Sequence, residues 1–224
     1  MSGTQKIDQP AKYWDRLFAN VGQVALITSV GADGRVNAGA FATCVRVVHE
    51  PVHIAFTTNT FKDTYHNIRA TGEFVVNLAA FERAILEQTT VLGLPFAPGV
   101  NELDKAGLTA IASTRVKPPR IAECHRHFEC EVVWMKEWVG RVMIVGNVVA
   151  ASVDAGCVDD RGFIIWDKVK PVQYCGASYL RFADEAPYRH MFVAAHETIS
   201  IDTPYAGPEL DAFNQSVKDE VNFR

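Results

Sequence analysis

Apolar and β-branched residues occur along the chain in short runs that are separated by turn residues. The first two runs, QVALITSV and NAGAFATCVRVV, flank Asp33-Gly34, a dipeptide that favours a β-hairpin. Five further strands are predicted at VHIAFTT, EFVVNL, FECEVVWMKEWV, RVMIVGNVVAASVD and GFIIW. Because these strands follow one another as hairpins, the pattern favours a closed antiparallel barrel over a doubly wound sheet.

Two or three short helices are predicted around these strands. Residues 10–19 predict an opening helix or turn. A second helix is predicted to begin where Thr60 or Asp63 can cap it and to end at Gly72. Apolar residues near helical spacing predict a third helix over residues 80–92. The stretch LGLPFAPGVNELDKAGL is broken by Gly and Pro and predicts a surface loop.

The composition is that of an ordinary globular protein, with 48% hydrophobic and 21% charged residues in 224 positions. A net charge of -4 and the lack of a basic stripe argue against nucleic-acid binding. The N-terminus lacks a signal-peptide pattern, and no uncharged apolar stretch of roughly 18 residues occurs. We therefore expect a cytoplasmic protein that does not associate with a membrane. Five scattered cysteines predict free thiols.

Two segments combine residue types that suit a nucleotide, although neither a GxGxxG nor a GxxxxGK[ST] motif occurs. The segment 57–64, TTNTFKDT, joins hydroxyl groups and Lys62 to a helix start, where free N–H groups suit a phosphate. The same residue types also gather at helix starts merely to cap them. The segment 37–44, NAGAFATC, either lets a planar ligand approach the backbone or packs a strand tightly.

The run ECHRHFEC at 123–130 raises the question of a metal site. On a strand, His125 and His127 share one face, and Cys124 and Cys130 share the other. One tetrahedral site using all four would need a bend, so we expect no metal and interpret the histidines as flanking a ligand pocket. A zinc-dependent hydrolase built on this run is the weakest alternative. No GxSxG elbow supports a nucleophilic enzyme.

Several ordered pieces resemble the flavin reductase-like domain family, the FMN-binding split-barrel proteins that include flavoredoxin and the reductase components of two-component monooxygenases. The pieces are VALITSVGADGRVNAGAFATCVRVVHEPVHIAF, TFKDTYHNIRATGEFVVNL, GVNELDKAGLTAIASTRVKPPRIAECHRHFECEV, VGNVVAASVD and PVQYCGASY. The resemblance spans about Val24 to Tyr179. It implies a mainly β, antiparallel split β-barrel with a few short helices over residues 1–182. Residues 183–224 would form a C-terminal extension that packs on the barrel, across a dimer or over the pocket.

The resemblance also implies ligands and partners. FMN would lie near the interface of a homodimer, with NADH or NADPH as the electron donor. A monooxygenase component or another redox protein would be the acceptor. Hydride would pass from nicotinamide C4 to flavin N5, so no catalytic acid or base is required of the protein.

Particular side chains are implied as well, in part through a phosphate-side motif, [RK]-x-T-x-x-N, that begins at Lys62. The residues expected to bind FMN are Asn37, Phe41, Ala42, Thr43, Cys44, Thr57, Thr58, Asn59, Lys62, Asp63, Thr64 and Asn67. The residues expected on the nicotinamide or substrate side are His125, Phe128 and Tyr174.

Four residues depart from the pattern common in the family. Ala42 stands where many members have Ser, and Lys62 where many have Arg, which keeps the charge but loses the bidentate fork. Tyr174-Cys175 replaces an Arg-x-Gly-Gly pattern at the entry side of the pocket. Two alternatives to a flavin reductase therefore stay open: an electron-transfer flavoprotein that retains FMN, and a non-redox member that binds another aromatic ligand.

Overall fold

A computed structural model describes residues 22–177 and 190–194, together with positions 6, 8, 10, 211–212 and 215. The expected opening helix lies outside the described residues except for Pro10, and so does most of the extension after residue 183. The elements in chain order are β1 (Gln23–Val30), β2 (Val36–His49), β3 (Val52–Asn59), α1 (Asp63–Thr71), β4 (Glu73–Leu78), α2 (Arg83–Leu92), α3 (Glu102–Ala106), β5 (Ala110–Ile111), β6 (Arg120–Ile121), β7 (Arg126–Trp138), β8 (Arg141–Val153), a 3-10 turn (Ala155–Cys157), α4 (Trp166–Val169), β9 (Val172–Ala177) and β10 (His190–Ala194).

Six of these strands close into an antiparallel barrel. They follow one another in the order β1-β2-β3-β8-β7-β4, and β4 pairs back onto β1 to complete the ring. β9 joins β1 at Gln23, and β10 pairs along β9, so these two strands extend the sheet beyond the barrel. The fold is therefore mainly β with a few short helices, which confirms the split barrel predicted from the sequence.

The barrel is split between β2 and β3. β1 pairs along residues 36–41 of β2 and again at Cys44, whereas β3 pairs with β2 only over residues 45–49. β3 continues beside β8 as far as Asn59. The Thr43 hydroxyl accepts a hydrogen bond from the Thr57 N–H at 3.0 Å and so bridges the start of the opening. Beyond this bridge, the first half of β2 has one edge that no strand covers within the described residues.

Two apolar clusters pack against the barrel wall, one inside the barrel and one outside it. Inside the barrel, the Phe74 ring lies edge-on to Phe56 with centroids 5.4 Å apart. Gly146 faces this pair, because a Cβ at that position would lie 2.5 Å from the Phe74 ring. Outside the barrel, α2 and α3 pack on β1 through a second cluster that includes Leu26 and Leu103. This cluster holds α2, α3 and their connection beside the uncovered edge of β2.

The predicted segment GFIIW is not a strand. Ile164 makes one isolated bridge with Val158, and α4 begins two residues later. Within the described residues, this apolar run forms no ladder with any strand of the two sheets. None of the helices in the described ranges is long and apolar enough to cross a membrane. All five cysteines are free thiols, as the sequence predicts.

Helix boundaries are partly as predicted. α1 ends at Gly72, whose φ of 73° is the expected left-handed conformation. Its N-cap position is held by Lys62, not by Thr60 or Asp63, and no side chain caps the first turn. The Thr60 hydroxyl instead donates to the Gly140 carbonyl at 3.2 Å.

The segment predicted as a loop after α2 contains a short helix. α3 lies within it, and the Asn101 side chain accepts the Leu103 N–H at 3.1 Å as an N-cap. Gly107 ends the helix with a φ of 67°. A helix of five residues is too short for a periodic pattern to reveal it.

Candidate functional site

A groove follows the uncovered edge of β2. It consists of three adjoining cavities of about 270, 240 and 290 Å³. Asn37 and Asp63 line both the first and the second cavity, and Phe41 and Gly93 line both the second and the third. Because neighbouring cavities share walls, they form one groove, which we divide into a polar end near Asn37, a middle, and an aromatic end near Phe41.

The backbone of β2 is accessible in the middle of the groove. The Ala38 N–H donates to Glu102 Oε2 at 3.2 Å, so it points away from β1. Since backbone groups alternate in direction along an antiparallel strand, those of Ala40 face the same edge. A Cβ on Gly39 would lie 3.0 Å from the Phe41 ring and 3.4 Å from Thr64 Oγ1. Glycine at this position therefore lets the Phe41 ring and the Thr64 hydroxyl pack directly against the backbone of β2.

The polar end gathers hydrogen-bond donors at the start of α1. Asn37 Nδ2 donates to Thr64 Oγ1 at 3.1 Å. Because this hydroxyl accepts one bond, its hydrogen remains available to a second acceptor. Lys62 precedes the helix, and the N–H groups of the first turn have no side-chain cap. Asn67 adds its amide to this cavity wall. Such a donor set suits a phosphate group.

One carboxyl group in the middle of the groove is poorly solvated. Burial raises the pKa of Glu102, and the charge of Asp63 acts in the same direction. The hydrogen bond from the Ala38 N–H and the charge of Lys62 oppose this rise. The ionised form of Glu102 is therefore costly in the folded protein.

The wall of the aromatic end is formed by residues of the barrel and of the C-terminal extension. The rings of Tyr174 on β9 and Phe192 on β10 lie with their centroids 5.5 Å apart at an angle of 57°. Both line the third cavity together with Val24 and Phe41. The extension after residue 183 thus contributes part of the wall of the groove.

Seven of the twelve residues expected to bind FMN line this groove: Asn37, Phe41, Ala42, Lys62, Asp63, Thr64 and Asn67. The other five are not part of the described groove wall. Thr43 and Thr57 bind each other across the split, with their hydroxyl oxygens 3.1 Å apart. Cys44 belongs to the barrel core. Thr58 is buried in the β3–β8 ladder, and its hydroxyl has no hydrogen-bond partner in the described part of the chain. The Asn59 carbonyl accepts the Lys62 N–H at 3.2 Å.

The three residues expected on the nicotinamide or substrate side do not all lie in the groove. Tyr174 lines the aromatic end. His125 and Phe128 are associated with β7, which the strand order places across the barrel from β2. His125 Nδ1 lies 2.8 Å from Asp154 Oδ2, and Phe128 packs against the barrel core. Within one chain, these two side chains are not in the described groove wall.

Among the groove residues that sequence reasoning missed are Glu102 and Phe192. Glu102 lies in a segment predicted as a loop. A carboxylate among Gly and Pro residues was the only feature of the sequence that could have indicated a role for it. Phe192 lies in the extension, whose pattern predicted no element. The run 123–130 does not bring its cysteines together, because Cys124 packs in the outer cluster and Cys130 inside the barrel.

A split barrel with a groove along its open edge has clear relatives. The family model for the flavin reductase like domain matches residues 18–179, and the chain belongs to this family. An uncharacterized protein of Aquifex aeolicus is 31% identical over 161 residues, which cover 70% of this chain and 81% of that protein. Membership in this family supports a flavin-binding redox function.

Solved structures share the fold. Flavoredoxin of Desulfovibrio vulgaris (Miyazaki F) superposes with a TM-score of 0.71 at 19% identity, covering 90% of this chain and 98% of that one. Nitrilotriacetate monooxygenase component B from Bacillus cereus gives a TM-score of 0.72 at 20% identity, covering 90% and 100% of the two chains. At these identities the likeness establishes the architecture.

We expect the substitution Glu102→Gln to stabilise the fold at neutral pH. A carboxyl group whose pKa is raised on folding favours the folded state at low pH, and this contribution is lost as the pH rises through the raised pKa. Gln retains an oxygen for the Ala38 N–H without the charge. The free energy of unfolding should therefore increase by about 0.5–1 kcal/mol at pH 8, and the gain should shrink toward pH 4.

Urea unfolding at both pH values measures this difference. Glu131→Gln is the matched control, because Glu131 is an exposed carboxylate on β7. An equal gain in the control, or a gain that increases on acidification, would contradict the role assigned to burial of Glu102.

Proposed function

We propose that the protein is an NAD(P)H-dependent flavin reductase that binds FMN in the groove along β2. The observation that carries this proposal is the pairing of an uncapped helix start beside Lys62 with a strand edge that small residues leave open. The first feature fits a phosphate and the second a planar ring system, and FMN contains both.

Each part of the groove has a role in this proposal. Lys62 balances the charge of the phosphate, and the Thr64 hydroxyl and the first N–H groups of α1 donate hydrogen bonds to it. Gly39 and Ala40 allow the flavin ring to lie against the backbone of β2. The flavin, when bound, supplies the redox chemistry by accepting hydride at N5. The protein then has to bind and orient two nucleotides and needs no general acid or base.

The proposal includes a cytoplasmic location for the protein and a second protein as its electron acceptor. The free thiols, four of them buried, suit a reducing cytoplasm. A monooxygenase component or another redox protein would receive the electrons, as the resemblance implies.

The phosphate contact is tested with two flavins. Lys62→Gln should weaken FMN binding about tenfold, equivalent to about 1.4 kcal/mol, because a charged hydrogen bond is lost. Riboflavin lacks the phosphate, so its affinity should not change. Titrations that follow quenching of flavin fluorescence measure both. Lys105→Gln is the control, since Lys105 is an exposed lysine of α3 outside the described groove wall. A parallel loss of riboflavin affinity would count against the phosphate contact.

The reaction is tested by anaerobic addition of NADH and, separately, NADPH to the protein–FMN complex. At least one donor should bleach the absorption of oxidised flavin within seconds, and added FMN should then turn over. Bound flavin that neither donor reduces would instead indicate an electron-transfer flavoprotein. A protein that binds no flavin would indicate the non-redox alternative.

We also propose that the protein is a homodimer. One row of residues crosses the outer face of the barrel through β2, β3, β8 and β7, and consists of Val45, Ala55, Val145 and Trp134. Val45 and Trp134, at the two ends of the row, are 39% and 45% exposed, whereas Ala55 and Val145 between them are buried. Large apolar side chains exposed on an outer sheet face are typical of a protein interface.

Light scattering should give the mass of a dimer for the unaltered protein. Trp134→Asp should shift the equilibrium toward the monomer, because a charge would be buried at the interface. Val139→Asp changes an exposed residue at the tip of the β7–β8 hairpin and should leave the dimer intact. A monomer at micromolar concentration before any substitution would refute the proposal.

A further inference from the structure

Three metal-ligating side chains meet where β7 begins and β8 ends. They are His125 before β7, Asp154 after β8, and Cys157 in the 3-10 turn that follows. One imidazole nitrogen, one carboxylate oxygen and the thiol sulfur all lie within 4.8 Å of one another. We propose that these residues form a Zn²⁺ site with three protein ligands. The site is distinct from the groove, since none of the three lines its described wall.

The backbone connects the three positions directly. The Asp154 N–H donates to the His125 carbonyl at 3.0 Å, and the Cys157 N–H donates to the Asp154 carbonyl at 2.8 Å. The Cys157 carbonyl in turn accepts the Ile165 N–H at 2.9 Å. The ligands are therefore held together by main-chain bonds before any ion arrives. Such preorganisation is what a metal site on a folded scaffold requires.

The site formed by the three side chains is accessible to solvent on one side. The His125 side chain is 25% exposed and that of Asp154 is 51% exposed, whereas Cys157 is only 5% exposed. An ion can thus enter past the carboxylate and the imidazole and meet the sulfur at the base. A water molecule would complete a tetrahedral set, as in zinc sites with three protein ligands.

The chemistry of the ligands selects the ion. Thiolate and imidazole favour Zn²⁺ over Mg²⁺ and Ca²⁺, which prefer oxygen. His125 Nδ1 and Asp154 Oδ2 lie 2.8 Å apart and share a hydrogen bond that the ion would replace. Thiolate and carboxylate together balance the two positive charges of the ion. Arg126 and Lys168 are nearby cations that oppose binding. The Arg126 guanidinium donates to Gln23 Oε1 at 3.0 Å.

The same residue types also occur in Cys–His–Asp nucleophile sites. The depth of Cys157 argues against that role here, because a substrate would have to reach a thiol that is almost completely buried. A metal ion is small enough to reach the sulfur between the exposed carboxylate and the imidazole.

Co²⁺ titration of the full-length, untagged protein tests the proposal. One ion should bind per chain and produce a sulfur-to-cobalt charge-transfer band together with the visible bands of tetrahedral Co²⁺, and Zn²⁺ should displace it. Cys157→Ser should abolish the charge-transfer band, and His125→Ala should weaken binding at least tenfold. Cys175→Ser is the matched control, since Cys175 is an exposed free thiol and the band should persist.

Zn²⁺ should also raise the melting temperature of the unaltered protein and not that of Cys157→Ser. Far-UV circular dichroism of each variant, expected to be unchanged, separates lost ligation from lost folding. The proposal is overturned if no Zn²⁺ binds in the micromolar range, or if the charge-transfer band persists in Cys157→Ser. It is also overturned if metal-free Cys157 is alkylated faster than Cys175, which would indicate a reactive nucleophile.

Discussion

The separation of β2 from β3 is the constraint on which the rest of the molecule depends. A backbone N–H that loses its strand partner must find another acceptor or face water. The Glu102 carboxylate meets this need at Ala38, and the Thr43 hydroxyl meets it at Thr57. Between these two contacts, the edge of β2 near Ala40 is left to the groove. A barrel paired along its whole circumference would have no such edge to offer a ligand.

Local patterns predicted much of the barrel. β1 and β4 begin and end where the apolar runs do, because flanking turn residues mark both boundaries. The run GFIIW has the same composition but forms no strand. Whether an apolar run pairs depends on which strands lie beside it in the fold, and composition alone contains no information about those neighbours. α3 was missed for a different reason: a single helical turn fixed by Asn101 and Gly107 has no periodicity to detect.

The groove was predictable where its residues are neighbours in sequence. Asn37 lies on one strand, Lys62 and Thr64 lie at one helix start, and the resemblance placed both segments at one ligand. Glu102 and Phe192 reach the same groove through the packing of α3 and through the pairing of β10 with β9. These contacts depend on tertiary structure alone. The Thr43–Thr57 pair is a further contact that only the tertiary structure reveals, since these two residues bind each other across the opening.

Because β10 pairs with β9 outside the closed ring, the two ends of the groove are built from different parts of the chain. Phe192 reaches the aromatic end from an edge strand that pairs with β9 and lies outside the closed ring of six strands. Replacing residues in this strand would reshape one end of the groove while the barrel core and the phosphate-type donors at the other end remain as they are. Because Phe192 also packs against the outer cluster that contains Leu26 and Leu103, such a substitution would change the shape of the aromatic end and the support of the neighbouring helices together.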